Sequence, residues 1–160
     1  MERFNKFIDV ILSHEGGYVW DSDDFGGETN FGITKRRYPG KNIRELTIEQ
    51  ATELYYTDFY TRMCLYYIKS DLLALHVFDM GVNAGKGTAV ELLQEILKGC
   101  RIDGQIGPAT AQAIANADIS TNLVAAYKAK RIEYYYNVSL RRNNAKFLAG
   151  WVNRVYSTKL

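Results

Sequence analysis

The chain has 160 residues, 47% of them hydrophobic and 24% charged, with a net charge of +2. That composition is ordinary for a globular protein, and so small a charge gives no argument for a nucleic-acid partner. One domain is the expectation at this length, long enough to bury roughly two thirds of its unfolded surface. No apolar run reaches membrane-spanning length, and the leading MERFNKFIDVILSHE is too short and too charged for a secretory signal. The expectation is a soluble protein made in the cytoplasm, without membrane insertion, released by another component if it acts outside. Cys64 and Cys100 are read as a free pair in preference to a bridge.

Phe4, Phe7, Ile8, Ile11 and Leu12 fall at helical spacing and predict a first amphipathic helix over 3–15, stopped by Gly16-Gly17. The stretch that follows contains enough glycine and Val/Trp/Thr/Phe/Ile for a small β-hairpin. Tyr38-Pro39-Gly40 reads as a turn. Thr47 with Gln50 forms a capping box opening a helix over 48–63. The apolar run 72–82 predicts a buried helix begun by Ser70 or Asp71 and ended by DMGVNAGKG. Thr88 with Glu91 reads as a second capping box, for a helix running to Gly99. Pro108 suits the first position of a helix through 116. A long helix over 120–140 presents Leu123, Tyr127, Tyr134 and Val138. A last helix over 144–156 buries Phe147, Leu148, Trp151, Val152 and Val155. The fold class is mainly α.

The unusual segment is His14–Thr34, HEGGYVWDSDDFGGETNFGIT, with five glycines, five carboxylates and four aromatics. So many glycines cost conformational entropy, which points to sharp turns or a functional loop. Glu15 lies eleven residues after Phe4, nearly three turns, so it leaves the helix on the apolar face. Glycosidic hydrolysis uses a protonated acid and an ionised partner, and burial against apolar groups favours the protonated form. Glu15 fits the acid. The partner is sought among Asp21, Asp23 and Asp24, with Glu28 a further alternative. Asp24, nine residues after Glu15, is favoured, and Thr29, five further on, would orient a water.

Rival chemistries fit less well. A calcium loop counted from Asp21 would place Phe25, Glu28 and Gly32 where an oxygen ligand, an apolar residue and a glutamate are needed. His14 and His76 are too few and too separated for zinc. NAGKGT around Lys86 lacks the phosphate-loop spacing, and Asp103-Gly104 with Gly107-Pro108 reads as turn chemistry. No metal and no cofactor are expected.

The Glu-Asp-Thr order at a helix end and hairpin resembles that of phage-type lysozymes. More extensively, HEGGYVWDSDDFGGETNFGIT, FDMGVNAG from Phe78, IDGQIGPATAQAI from Ile102 and the FLAGWVNRV run resemble glycoside hydrolase family 108, N-acetylmuramidases that cleave peptidoglycan. The resemblance implies a mainly α, lysozyme-like, two-part fold: a catalytic part over 1–88 and a helical peptidoglycan-binding part over 89–160, packed as one compact unit. It maps the EGGY glutamate onto Glu15 as catalytic acid. Tyr18, Asp79 and Asn83 become substrate-binding candidates, Asn83 for an N-acetyl group with Asp79 in support. Peptidoglycan strands are the implied partner of a monomeric chain, with a holin-type system as its release route. A lytic transglycosylase and a non-catalytic wall-binding or secretion-assisting protein are the alternatives.

Overall fold

The computed structural model describes residues 2–20, 27–117, 122–141 and 144–160. Its contacts gather into two compact units, one up to Asp58 and one over Phe59–Leu160. The boundary read from the sequence, 88/89, divides the chain by role and lies within a helix of the second unit.

The first unit opens with α1, Glu2–His14, whose apolar residues Phe4, Phe7, Ile8 and Ile11 are buried, as their spacing predicts. Three short antiparallel strands follow: β1 Val19–Trp20, β2 Glu28–Asn30 and β3 Ile33–Thr34, in that order. Val19 pairs with Thr29, and Asn30 with Ile33. Only Phe31 and Gly32 separate β2 from β3, and both have positive φ, 50° and 73°. That is the backbone of a tight two-residue hairpin whose twist matches the strands. A phenylalanine there is strained, because its Cβ crowds the backbone. Tyr55, fully buried on α2 (Ile48–Tyr55), donates its hydroxyl to the Phe31 carbonyl at 2.9 Å and holds the turn. Asn30 Nδ2 donates to the carbonyls of Ile43 (3.1 Å) and Leu46 (3.4 Å), fixing β2 from its other side.

The predicted turn at Tyr38 is closed by Lys41 N donating to its carbonyl at 3.0 Å. The Thr47–Gln50 capping box is present in both directions. The helix expected over 48–63 departs from α geometry at Tyr56 and continues as a π-helix to Thr61. Thr57 Oγ1 donates to the carbonyl of Glu53 at 2.9 Å there, competing with the regular ladder.

In the second unit, α3 (Asp71–Ala84) is capped by Ser70, whose hydroxyl accepts from Leu73 N, and is buried continuously from Leu73 to Gly81. It packs against α4 (Lys86–Ile96) and α6 (Leu123–Ser139). It also runs past the expected end at 82, because Gly81 belongs inside the helix. A Cβ at Gly81 would stand 2.6 Å from Met63 Sδ. Gly85, at φ +99°, ends α3 and begins α4 at once. The expected capping box at Thr88 is therefore absent: Thr88 already lies in the first turn, and the helix stops at Ile96 rather than Gly99. Pro108 does occupy the first turn of α5, Pro108–Asn116.

On α6 the buried stripe is Tyr127, Arg131, Tyr135 and Ser139, one step from the Tyr134/Val138 stripe read from the sequence. The last helix is a 3₁₀ turn, Asn144–Phe147, followed by α7, Leu148–Ser157. Here the expected burial fails for Phe147, which is 47% exposed; of that set only Val155 is fully buried. Cys64 and Cys100 are both free thiols. Among the described residues no helix is long and apolar enough to cross a membrane.

Candidate functional site

Glu15 follows α1 directly, its backbone N–H still donating to the Ile11 carbonyl at 3.2 Å. This keeps the helix direction and aims the side chain at the β2–β3 turn. The position that a Cβ would take at Gly32 lies 2.6 Å from Glu15 Oε2, 2.8 Å from its Cδ and 2.6 Å from the Tyr55 hydroxyl. Any other residue at 32 would occupy space already taken by the carboxyl. Glu15 itself is half-buried. Gly32 and Tyr55 are the site residues that sequence reasoning missed. The signal for Gly32 was present, a glycine between two residues able to pair, but nothing in the sequence ties Tyr55 to Phe31 across 24 positions.

Thr29 lies in β2, opposite Val19 on one side and Thr34 on the other, and is half-buried. Strand alternation turns Glu28 to the opposite face. There the Tyr18 hydroxyl donates to Glu28 Oε1 at 3.1 Å, and the Arg44 guanidinium lies 6.0 Å from the Tyr18 ring centre. Loss of solvent and the neighbouring Glu28 carboxylate hold the Tyr18 phenol above its ordinary value, with Arg44 opposing. Tyr18 is 41% exposed and so open to a ligand. The candidates Asp21, Asp23 and Asp24 lie outside the described residues.

In the second unit, Asn83 is exposed in the last turn of α3, and its Oδ1 accepts from the Tyr135 hydroxyl at 2.8 Å. That bond fixes the amide and leaves the Asn83 NH₂ directed to donate elsewhere. Tyr135 is in turn stacked on Trp151, ring centres 5.4 Å apart.

Asp79, one helical turn earlier, has a different part. Its carboxylate is fully buried and bonded by Arg131 Nη2, by Arg154 Nε and Nη2 (2.9 Å each), with the Thr158 hydroxyl 3.3 Å away. A carboxylate without exposed surface does not touch a glycan. Arg131 Nη1 also meets His76 Nδ1 at 2.8 Å, and since arginine only donates, that nitrogen must accept. Burial first, then the Arg131 and Lys128 charges, push His76 down to about 4. Neutral His76, Arg131, Asp79 and Arg154 thus form one buried network joining α3, α6 and α7.

Residues 8–85 match the family model described as Glycosyl hydrolase 108, and residues 88–156 match one described as Predicted Peptidoglycan domain. Among eleven solved chains that match, the structure of Brucella abortus SagA is similar with a TM-score of 0.82 at 25% identity, covering 97% of this chain and 90% of that one. No curated protein matches. The helical content and the small sheet after α1 fit the mainly α, lysozyme-like architecture expected. With a carboxyl seated beside a glycine turn in its first unit, the chain matches the glycosyl hydrolase 108 family over residues 8–85 and a peptidoglycan domain over residues 88–156, and it is a glycoside hydrolase that acts on peptidoglycan.

Proposed function

We propose that the chain cleaves the β-1,4 bond between N-acetylmuramic acid and N-acetylglucosamine, with Glu15 as general acid. The observation that carries this reading is the seat of the Glu15 carboxyl against a glycine turn that leaves no room for a side chain, the Tyr55 hydroxyl closing on the same position. Such packing limits the rotamers of the acid, and positional precision of that kind is what proton transfer to a leaving oxygen requires.

In this mechanism the Glu15 carboxyl donates its proton to the glycosidic oxygen as the bond to the anomeric carbon breaks. Asp24 takes a proton from the attacking water or stabilises the cationic sugar, and Thr29 orients that water. A carboxyl separation of about 6.5–9.5 Å corresponds to inversion and about 5–5.5 Å to retention. Tyr18 is exposed for contact with the sugar, and Asn83 offers its NH₂ to an N-acetyl carbonyl. Asp79 acts behind Asn83 by fixing Arg131 and hence α6, which holds Tyr135. The catalytic role is assigned to residues up to about 88 and wall binding to 89–160, with the action at the cell wall after release.

The test is reducing-end release from purified peptidoglycan by wild type and Glu15→Gln. Loss of release in a variant that melts like wild type is expected, and full activity in Glu15→Gln would falsify the assignment. Mass spectra showing anhydro-muramic ends in place of reducing ends would make the protein a lytic transglycosylase.

A further inference from the structure

We propose that a pocket in the second unit, formed by Arg62–Cys64, the start of α4 and the loop Gly104–Gly107, binds the carboxylate-bearing stem peptide of peptidoglycan, with Tyr66 and Tyr67 as an adjoining ledge for its sugar. The proposal rests on peptidoglycan being the substrate and assigns a second point of contact to it.

The pocket holds about 450 Å³, within the range of small-ligand sites. Its floor is apolar: Met63, Val90 and Ile106 are all at most 7% exposed. The two ionised residues lining it, Arg62 and Lys86, are both cationic. Lys86 opens α4, where the helix dipole adds positive potential, and its Nζ lies 5.7 Å from the Phe59 ring centre. A carboxylate on an alanyl-type peptide suits that combination of cations above and apolar surface below.

The third wall is preorganised. Gln94, 1% exposed, reaches under the loop: its Nε2 donates to Asp103 Oδ1, the Gln105 carbonyl and Thr110 Oγ1, at 2.9–3.0 Å. Its Oε1 accepts from the N–H groups of Asp103 and Gly104, both at 2.9 Å. Asp103 Oδ1, which also accepts from Gln105 N at 3.0 Å, is thereby tied to the loop. Gly104 has φ +72° and a Cβ there would lie 3.3 Å from the Gly87 Cα, so glycine lets the loop close on α4. A loop fixed in advance costs little ordering entropy on binding.

Two neighbours favour a peptide over a simple anion. Glu91 Oε1 is 3.4 Å from the same Cβ position at Gly104, placing a carboxylate at that edge for an amino group. A stem peptide containing a diamino acid has both signs, whereas a phosphate polymer has one. Tyr66 and Tyr67 are 53% and 47% exposed with ring centres 4.7 Å apart. The Tyr66 hydroxyl reaches Cys64 Sγ at 3.5 Å, which sets the ledge against the pocket. Exposed aromatic faces of this kind accept sugar rings.

The experiment titrates the full chain with a synthetic stem tetrapeptide containing a diamino acid, followed by amide NMR. Saturable shifts at Gly104–Gly107 are expected, weakened at least tenfold in Arg62→Glu and in Lys86→Met, the latter keeping an apolar stem against Phe59. No shifts, unchanged affinity in both variants, or equal affinity for inorganic phosphate would overturn the proposal. The titration breaks no bond, so its failure alongside reducing-end release by wild type removes this site and leaves the hydrolase reading standing. Binding without any release does the converse.

Discussion

Replacing Gly32 by alanine tests the seat of Glu15 most directly. The new Cβ would sit 2.6 Å from Glu15 Oε2 and from the Tyr55 hydroxyl, where ordinary contact begins near 3.4 Å, so something must yield by nearly an ångström. At φ +73° the alanine also carries backbone strain of about 1–2 kcal/mol. Overpacking adds roughly 1–3 kcal/mol. The sum, about 2–5 kcal/mol, corresponds to a melting temperature lower by roughly 4–20 °C. Displacing a reacting group by about 1 Å costs on the order of 10²-fold in turnover. Gly27 supplies the control. It too has a left-handed backbone, φ +65°, but among the described residues nothing lies within 4 Å of its Cβ position. Gly27→Ala should show only the strain, about 1–2 kcal/mol, with turnover on peptidoglycan close to wild type below the melting range. Equal loss of turnover in the two variants, or wild-type turnover in Gly32→Ala, would refute the coupling of Gly32 to Glu15.

Two further outcomes follow from the second unit. His76 is held down at about 4 from an ordinary 6.5 by burial and by the Arg131 and Lys128 charges, with Asp79 opposing. A depressed value means the fold favours the neutral ring, so its contribution is whole above pH 6.5 and lost as pH falls toward 4, in all about 3 kcal/mol. His76→Gln should flatten the fall in melting temperature across that window, and an unchanged acid slope would contradict the assignment. Gln94→Ala removes five hydrogen bonds, four to the Asp103–Gln105 loop and one to Thr110, and leaves buried groups unpartnered, at about 2–4 kcal/mol. Hydrogen exchange at the Asp103 and Gly104 amides should accelerate, and protection equal to wild type would show that the loop is held otherwise.

Local signals in the chain read well where the physics is local. The Phe4-to-Ile11 spacing, the Thr47–Gln50 box, Ser70 as a cap and Pro108 in a first turn each involve residues within a few positions of one another, and each appears in the structure. The errors arise where a distant partner decides. Gly81 looked like a helix end because its reason, Met63 packing against it, lies on another element. Arg131 did not enter the predicted buried stripe of α6, yet it is wholly buried because Asp79, 52 residues away, takes its charge. Phe147 has the hydropathy of a core residue but falls on a 3₁₀ turn, whose period moves it off the buried side. Of the candidate site, Glu15 was legible because a helix fixes its direction, whereas Gly32 and Tyr55 come to it only through tertiary packing.

The Asp79 network also bears on how the molecule is made. Asp79 sits on α3, yet Arg154 and Thr158, two of the groups gathered around its carboxylate, lie 75 and 79 positions further along the chain. Until they emerge from the ribosome, α3 must hold a carboxylate short of its partners, an arrangement that disfavours burial. The second unit is therefore built to complete its core only after α7 has been made. A change at Arg154 or Thr158 would be felt at its centre.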